Sequence, residues 1–262
     1  MTIYAIVQAR MGSTRLPGKV LMNLSGKPVL EHVIDRLKQS NYINQVIVAT
    51  SDNEENEAIF ELCGSKNVLC FKGSEDDVLD RFYQACMNFD VNSNDILIRI
   101  TADCPLIDYE IVDKTIKLHL VENNDYTSNT MPCTYPDGLD CEVFNFDILV
   151  NAWKNANLSS EREHVTLYIR NHPEIYKLGG LTNDVDYSDL RWTLDEKEDF
   201  VLINEIYENL YDMNEFFTMD DVLKLLETKP ELTDINSFIM RNEGLEKSLK
   251  NDQILENRKY EE

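Results

Sequence analysis

Ile3-Tyr4-Ala5-Ile6-Val7 is a continuous apolar run, and it breaks at once into Gln8-Ala9-Arg10-Met11-Gly12-Ser13-Thr14-Arg15-Leu16-Pro17-Gly18-Lys19. A short apolar run that ends in a Gly- and Pro-containing loop reads as a strand buried on both faces, the kind found in parallel sheets. Working outward, residues 28–38 read as a helix: Pro28 suits a first turn, and Val29, Val33, Ile34 and Leu37 share one face. Gln45 to Thr50 is a second buried strand. Asp52 is placed to cap the next helix, whose stripe is Ala58, Ile59 and Leu62. Val68 to Phe71 is a third strand, residues 75–89 a third helix, and Ile96 to Ile100 a fourth strand running into Thr101-Ala102-Asp103. This alternation predicts an α/β fold: a doubly wound, mostly parallel sheet with helices on both faces. Right-handed crossovers put the C-terminal ends of such strands on one edge, where open α/β sheets bind ligands. The loop and Asp103 both follow strand ends and should converge.

The second half is less regular. Residues 109–121 read as a helix capped by Asp108, and Tyr126 to Glu142 as an excursion from the sheet, rich in Pro, Thr, Asn, Asp and Gly. Helical patterns return near 146–157 and 161–171 and over 196–210 and 219–227; Ile175 to Leu181 and Leu190 to Leu194 read as strands. The expected organisation is a single domain over 1–240 with an excursion at about 125–185. From 241 to 262 the chain is charged and poor in apolar residues, which reads as an exposed helix or tail.

The 262 residues carry a net charge of -23. An acidic surface repels nucleic acid and anionic membranes, so neither is an expected partner. No apolar stretch approaches the roughly 20 residues of a membrane span, and no leader precedes the first strand, which together predict a cytoplasmic protein. Six cysteines show no zinc spacing and no Cys-x-x-Cys; Cys104 has no adjacent histidine to activate it as a nucleophile.

Against this acidity, Arg10, Arg15 and Lys19 cluster with no acid among them. The loop is not a P-loop: five residues separate Gly12 from Gly18 where four are required, and Val20 follows the lysine. No G-x-G-x-x-G is present for a dinucleotide. The loop nevertheless has the parts of an anion cradle. Gly12 permits close backbone approach, Ser13 and Thr14 offer hydroxyl and amide donors, and the two arginines and Lys19 supply forked and point charges for phosphate. The reading is a triphosphate site in which Arg15 and Lys19 stabilise charge on a departing pyrophosphate. Gln8, the backbone near Ala9, and Thr101 are placed to read a base edge.

A reacting triphosphate carries a divalent cation held by one or two carboxylates and phosphate. Asp103 ends one strand and Asp195 ends Leu190-Arg191-Trp192-Thr193-Leu194, so the two could share a cation. Asp77 and Arg81 lie four apart on one helix face, as a surface ion pair or as ligand contacts. Asp137, Asp140 and Glu142 occupy one Gly-Pro turn and suit sugar hydroxyls, which makes this turn the expected acceptor site. Arg162 and His164 begin a helix and suit a sugar carboxylate or phosphate. These residues do not distinguish a pyrimidine from a purine, so transfer from another nucleotide, such as GTP with a hexosamine phosphate, on the same fold is the second reading, and a non-catalytic nucleotide-sugar-binding module is a further one.

The stretch Val7 to Lys19 resembles the signature of the cytidylyltransferase family, which includes acylneuraminate and 3-deoxy-manno-octulosonate cytidylyltransferases. The likeness is strongest to the spore coat polysaccharide protein F-like branch. It continues through GSEDDVLDR (73–81), RITADCPLID (99–108), YPDGLDCEVF (135–144), REHVT (162–166) and WTLD (192–195), spanning roughly residues 1–205. The resemblance implies a Rossmann-like nucleotide-diphospho-sugar transferase fold with an inserted dimerisation or acceptor subregion. It implies CTP as donor, magnesium on Asp103 and Asp195, a nucleobase pocket bordered by Asp77 and Arg81, and a homodimer.

Overall fold

The computed structural model describes residues 1–241 and 243–255. Strands β1 (Ile3–Gln8), β4 (Gln45–Ser51), β5 (Leu69–Gly73) and β6 (Ile96–Thr101) form the parallel part of a seven-stranded sheet. A two-stranded ribbon, β2 (Asn23–Leu24) with β3 (Lys27–Pro28), lies outside it. Helices α1 (Val29–Leu37), α2 (Glu57–Ser65), α3 (Val78–Asn88) and α4 (Tyr109–Glu122) punctuate these strands as the periodicity predicts. The sheet continues with β7 (Tyr126–Ser128), β8 (Glu142–Asn145) and β9 (Leu178–Gly180). Its order is β5-β4-β1-β6-β8-β7-β9, with β8 antiparallel to both neighbours.

Alternation along β1 divides the core. Ala5 and Val7 face α1, α2 and α4 through Val33, Ile59 and Val112; Tyr4 and Ile6 face α3 through Leu79 and Phe82. All of Ala5, Ile6 and Val7 are fully buried, which is why this strand reads as an unbroken apolar run. On the second face lie α5 (Phe146–Asn155) and the short helices α6 (Ser159–Glu163) and α7 (Leu167–Asn171). A third core, around Trp192, Leu139 and Leu194, is closed by α8 (Lys197–Leu210) and α9 (Met219–Thr228).

Four expectations change. Asp52 does not cap α2: a 3-10 turn at Glu54–Asn56 intervenes, and Asn56 takes the N-cap position. The stretch Tyr126 to Glu142 is not wholly an excursion, because its two ends are sheet strands. Leu190 to Leu194 is not a strand of the sheet and forms a single bridge, Arg191 with Asp137. The segment 161–171 is two helices, broken where Val165 takes a left-handed φ of 35°. Asp108 does cap α4, accepting from the Glu110 and Ile111 amides.

The chain beyond 240 forms α10 (Glu243–Lys250), which packs against α6. Asp252 then accepts from the hydroxyls of Ser159 and Ser160, and Ile254 bridges Leu158. The expectation for 256–262 lies outside the described residues. No described helix is long and apolar enough to cross a membrane.

Candidate active site

The sheet order reverses at β1: β4 and β5 lie to one side and β6 to the other. Ligands bind beyond the strand ends at such a reversal, and the Gln8–Lys19 loop and the Thr101–Pro105 turn meet there. The Ala9 amide donates to the Ala49 carbonyl and the Met11 amide to Asn56 Oδ1, which fixes the loop's first half to β4 and α2. The Met11 carbonyl then accepts from both Ser13 and Gly18, drawing the loop into a ring. Gly18 takes φ 71°, a conformation that disfavours any other residue. The conformational demand thus falls on Gly18; at Gly12 an added Cβ would meet the ends of two side chains, Glu55 at 2.9 Å and Glu75 at 3.8 Å.

The loop walls a cavity of about 710 Å³ with Gln8, Arg10, Gly12, Ser13, Thr14 and Arg15. Lys19 and Thr101 complete its floor. The Ala9 side chain is buried and its amide is taken by β4, so Gln8 and Thr101 are the strand-end residues that face the space. Each loop cation meets carboxylates. Arg10 pairs with Glu75 at 2.9 Å, and Arg15 with Asp195, Glu196 and Glu243 at 3.1, 3.2 and 3.4 Å. Lys19 Nζ lies 2.6 Å from Asp103 Oδ2 and 2.7 Å from Asp195 Oδ1. Burial pushes the Lys19 ammonium down, but the two carboxylates outweigh it and raise its pKa. Burial pushes Asp103 up; Lys19 reverses this and holds its carboxyl below the usual range.

Asp103 and Asp195 meet without a strand under the second. The Leu194 amide donates to the Asp103 carbonyl at 2.8 Å, which ties the two backbones together directly. Asp199, fully buried, accepts from the Asp195 and Glu196 amides and pairs with Arg191 and Asn236. Asp199 and Arg191 were missed in the sequence. The spacing of Glu196 and Asp199, the first and fourth residues of a capping box, is the signal that marks this helix start.

Arg15, Thr101, Asp103 and Asp195 also line a second cavity of about 320 Å³, which adjoins the first. One wall carries Asp137 and Asp140. Asp137 is pushed up to about 6, by burial first and the nearby Asp140 second, while Arg191 and Arg241 flank it at 3.1 and 3.6 Å. Arg241 also holds Asp140 at 2.6 Å. The other wall carries Arg99, Glu142, His164 and Arg170. Glu142 is engaged by Arg99, the Tyr126 hydroxyl and the Thr166 hydroxyl, so it orients this wall instead of presenting free oxygens. Burial alone would raise Glu142; Arg99 and Arg170 bring it down to about 2. Burial lowers the His164 pKa, favouring the neutral ring.

Asp77, Arg81 and Arg162, expected in the nucleotide and acceptor sites, line neither cavity. Asp77 caps α3 and pairs with Arg162 through two bonds of 2.9 and 2.8 Å, both side chains almost wholly buried. The Arg81 guanidinium, also buried, donates to the Ser74 carbonyl, and its backbone amide donates to the Asp77 carbonyl. A sequence does not reveal that a helix-start arginine will meet a carboxylate 85 positions away. Arg99, Arg170, Arg191 and Arg241 are the arginines it did not single out for the second cavity.

Two carboxylate oxygens converging on one point are the hard donor set that magnesium takes alongside phosphate and water. The ammonium between them marks the point as one that attracts a cation. Asp103 and Asp195 therefore fit such an ion. No group of three or more candidate ligand side chains is assembled among the described residues, so an ion here would draw its other ligands from substrate and solvent.

Comparison with known proteins bears on the whole chain. Residues 4–246 match a family described as cytidylyltransferase. An uncharacterised protein of Methanocaldococcus jannaschii is 40% identical over 241 residues, 91% of this chain and 96% of that one. The spore coat polysaccharide biosynthesis protein SpsF of Bacillus subtilis is 34% identical over 236 residues, 87% and 95% of the two chains. A solved cytidylyltransferase structure from Leptospira borgpetersenii superposes with a TM-score of 0.85 at 29% identity, over 92% of this chain and 100% of that one.

Proposed function

The chain belongs to the cytidylyltransferase family, and on that premise we propose that it transfers CMP from CTP to an acidic or phosphorylated sugar-like acceptor, releasing pyrophosphate. The observation that carries this reading is the shared pair Asp103 and Asp195, which line both cavities and are both held by Lys19 of the basic loop's cavity. A group joining donor to acceptor belongs at that junction.

Arg10, Arg15 and Lys19 bind the triphosphate, exchanging their carboxylate partners for phosphate oxygens. The Ser13 and Thr14 hydroxyls and the Thr14 amide add donors along the same wall. An acceptor hydroxyl attacks the α-phosphorus in line, the bond to the β-phosphate oxygen breaks, and pyrophosphate leaves. Lys19 and Arg15 stabilise the charge gathering on the leaving group. Magnesium, which Asp103 and Asp195 would hold, supplies further neutralisation of phosphate charge when bound. Gln8 and Thr101 face the donor space from the strand ends and are the base-reading candidates.

The acceptor takes the second cavity. Asp137 and Asp140 suit its hydroxyls. The guanidinium of Arg170 has no ion pair among the described residues, and its Nε, Arg99 Nε and His164 Nε2 are buried without a hydrogen-bond partner. The Glu163 carboxylate is 3.9 Å from that ring nitrogen, outside bonding distance. Buried donors left open cost stability unless a ligand satisfies them. Together they match a carboxylate or phosphate, the role expected of Arg162 and passed here to Arg170. The likeness to the spore coat polysaccharide biosynthesis protein of Bacillus subtilis supports a product destined for a surface glycan. The proposal includes the homodimer that the resemblance implies, for which light scattering should give twice the 30.4 kDa chain mass.

The test is pyrophosphate release with each nucleoside triphosphate, against a panel of sugar acids and sugar phosphates, with magnesium and with chelator. Release with CTP, an anionic acceptor and magnesium is expected. Release that requires GTP, or that persists in chelator, refutes the corresponding part.

A further inference from the structure

We propose that α10 completes the triphosphate site: Glu243 occupies Arg15 as a stand-in anion that incoming phosphate displaces, and Lys247 is an additional phosphate-binding cation. This inference rests on the reading of the Arg10–Lys19 cavity as a polyphosphate site.

Helix α10 buries none of its residues, so burial of an apolar face does not explain its position. It is held instead at its flanks by polar contacts. On one side Arg241 bonds Asp140; on the other Asp252 accepts from the Ser160 amide and hydroxyl at 3.0 and 2.7 Å. In the middle the Ser248 hydroxyl donates to Glu163 at 2.7 Å. These anchors stretch the helix across the mouth of the cavity, where Glu243, Gly244, Lys247, Ser248 and Asn251 form the wall facing the basic loop. The spacing 243, 244, 247, 248, 251 is one face of a helix. That face is turned to the phosphate space.

The charges on that face are not neutral in effect. Glu243 lies 3.4 Å from Arg15, with its side chain 55% exposed and the arginine's 36%. A contact this exposed is weak and readily exchanged. Phosphate oxygens bind a guanidinium's forked donors more tightly than one carboxylate oxygen at that distance. Lys247 has no ion pair among the described residues, although Glu163 and Glu243 line the same cavity. By contrast, Glu246 and Lys250 pair with each other at 3.5 Å and line neither cavity. One helix therefore supplies both the test positions and their controls.

Binding of CTP and of inorganic tripolyphosphate is measured by calorimetry on the full chain and on E243Q, K247M, E246Q and K250M, each checked by circular dichroism. Weak exposed charge contacts are worth up to about fivefold in affinity. E243Q should tighten both ligands about two- to fivefold, K247M should weaken both by a similar factor, and the two controls should match the parent chain. CTP should also slow tryptic cleavage after Lys247, a readout independent of the variants' folding. The proposal is overturned if E243Q and K247M bind like the parent, if the controls shift by the same factors, or if cleavage after Lys247 is indifferent to ligand. Tripolyphosphate binding without CTP binding would instead fault the choice of nucleotide and leave α10's role intact. Binding of neither would overturn both.

Discussion

Replacing Asp77 by Asn should damage the fold and spare the chemistry. The Asp77 carboxylate receives two bonds from Arg162, at 2.9 and 2.8 Å, and the two side chains are only 5% and 3% exposed. Removing one partner of a buried pair strands the other charge and costs about 3–5 kcal/mol. Asparagine can still accept from the Asp80 amide, so the α3 cap, worth about 1 kcal/mol, is largely kept. The exposed Arg10–Glu75 pair, at 44% and 24%, is by comparison worth about 0–1 kcal/mol. A domain of this size loses about 2–4 °C in Tm per kcal/mol, so D77N should melt roughly 10 °C lower. The assay pairs a thermal melt with steady-state pyrophosphate release at low temperature, normalised to folded protein. The KM values for nucleotide and acceptor should stay within about twofold of the parent. An unchanged Tm with a tenfold rise in either KM would refute the reasoning and return Asp77 to the binding site.

Lys19→Met should lower kcat/KM for pyrophosphate release by about 10²–10³-fold, the usual loss for a charge-stabilising donor, with a cooperative melt retained; near-parental turnover would remove Lys19 from the mechanism. Arg170→Ala should raise the acceptor KM by more than tenfold and leave CTP affinity unchanged by calorimetry, whereas an equal effect on both would make Arg170 a general structural residue. Glu142 is held at about 2 against an ordinary value of 4.5. Its stabilisation is therefore complete above pH 4.5 and fades as pH falls toward 2, amounting to about 3 kcal/mol at neutral pH. Urea melts of E142Q and the parent should differ clearly at pH 7 and converge near pH 2, and a gap independent of pH would contradict the Arg99–Glu142 account.

The first half of the fold was legible because parallel strands buried on both faces announce themselves as apolar runs, as Ile3–Val7 and Val46–Ala49 do. The second half was not. β7 is Tyr-Thr-Ser and β8 is Glu-Val-Phe-Asn, too short and too polar to stand out, and both are set by pairing with strands distant in sequence. Leu190–Leu194 misled in the opposite sense: Trp192 and Leu194 are buried in the third core, so their alternation reports packing and not sheet pairing.

The site divides in a similar way. The loop cations and Asp103 were marked by local context, a glycine-containing turn, a strand end and a lack of nearby acids, whereas Asp195 was reached through a strand that the structure does not form. Asp77, Arg162, Arg99 and Arg170 were not, because the job of a buried charge depends on which distant charge it meets. Arg162 meets Asp77 and becomes part of the scaffold; Arg170 bears on Glu142 by charge alone, makes no ion pair among the described residues, and lines the second cavity. The two arginines are eight residues apart on neighbouring helices, and only the tertiary structure separates their roles.

The central claim is that Asp103, with Lys19 and Asp195, turns nucleotide binding into transfer at the junction of the two cavities. The most direct measurement is CTP binding and pyrophosphate release on the same preparation of Asp103→Ala with magnesium and an acceptor that the parent uses. The account predicts that CTP still binds, through Arg10, Arg15 and Lys19, and that release falls by at least about 10²-fold. Release at the parent's rate would contradict it.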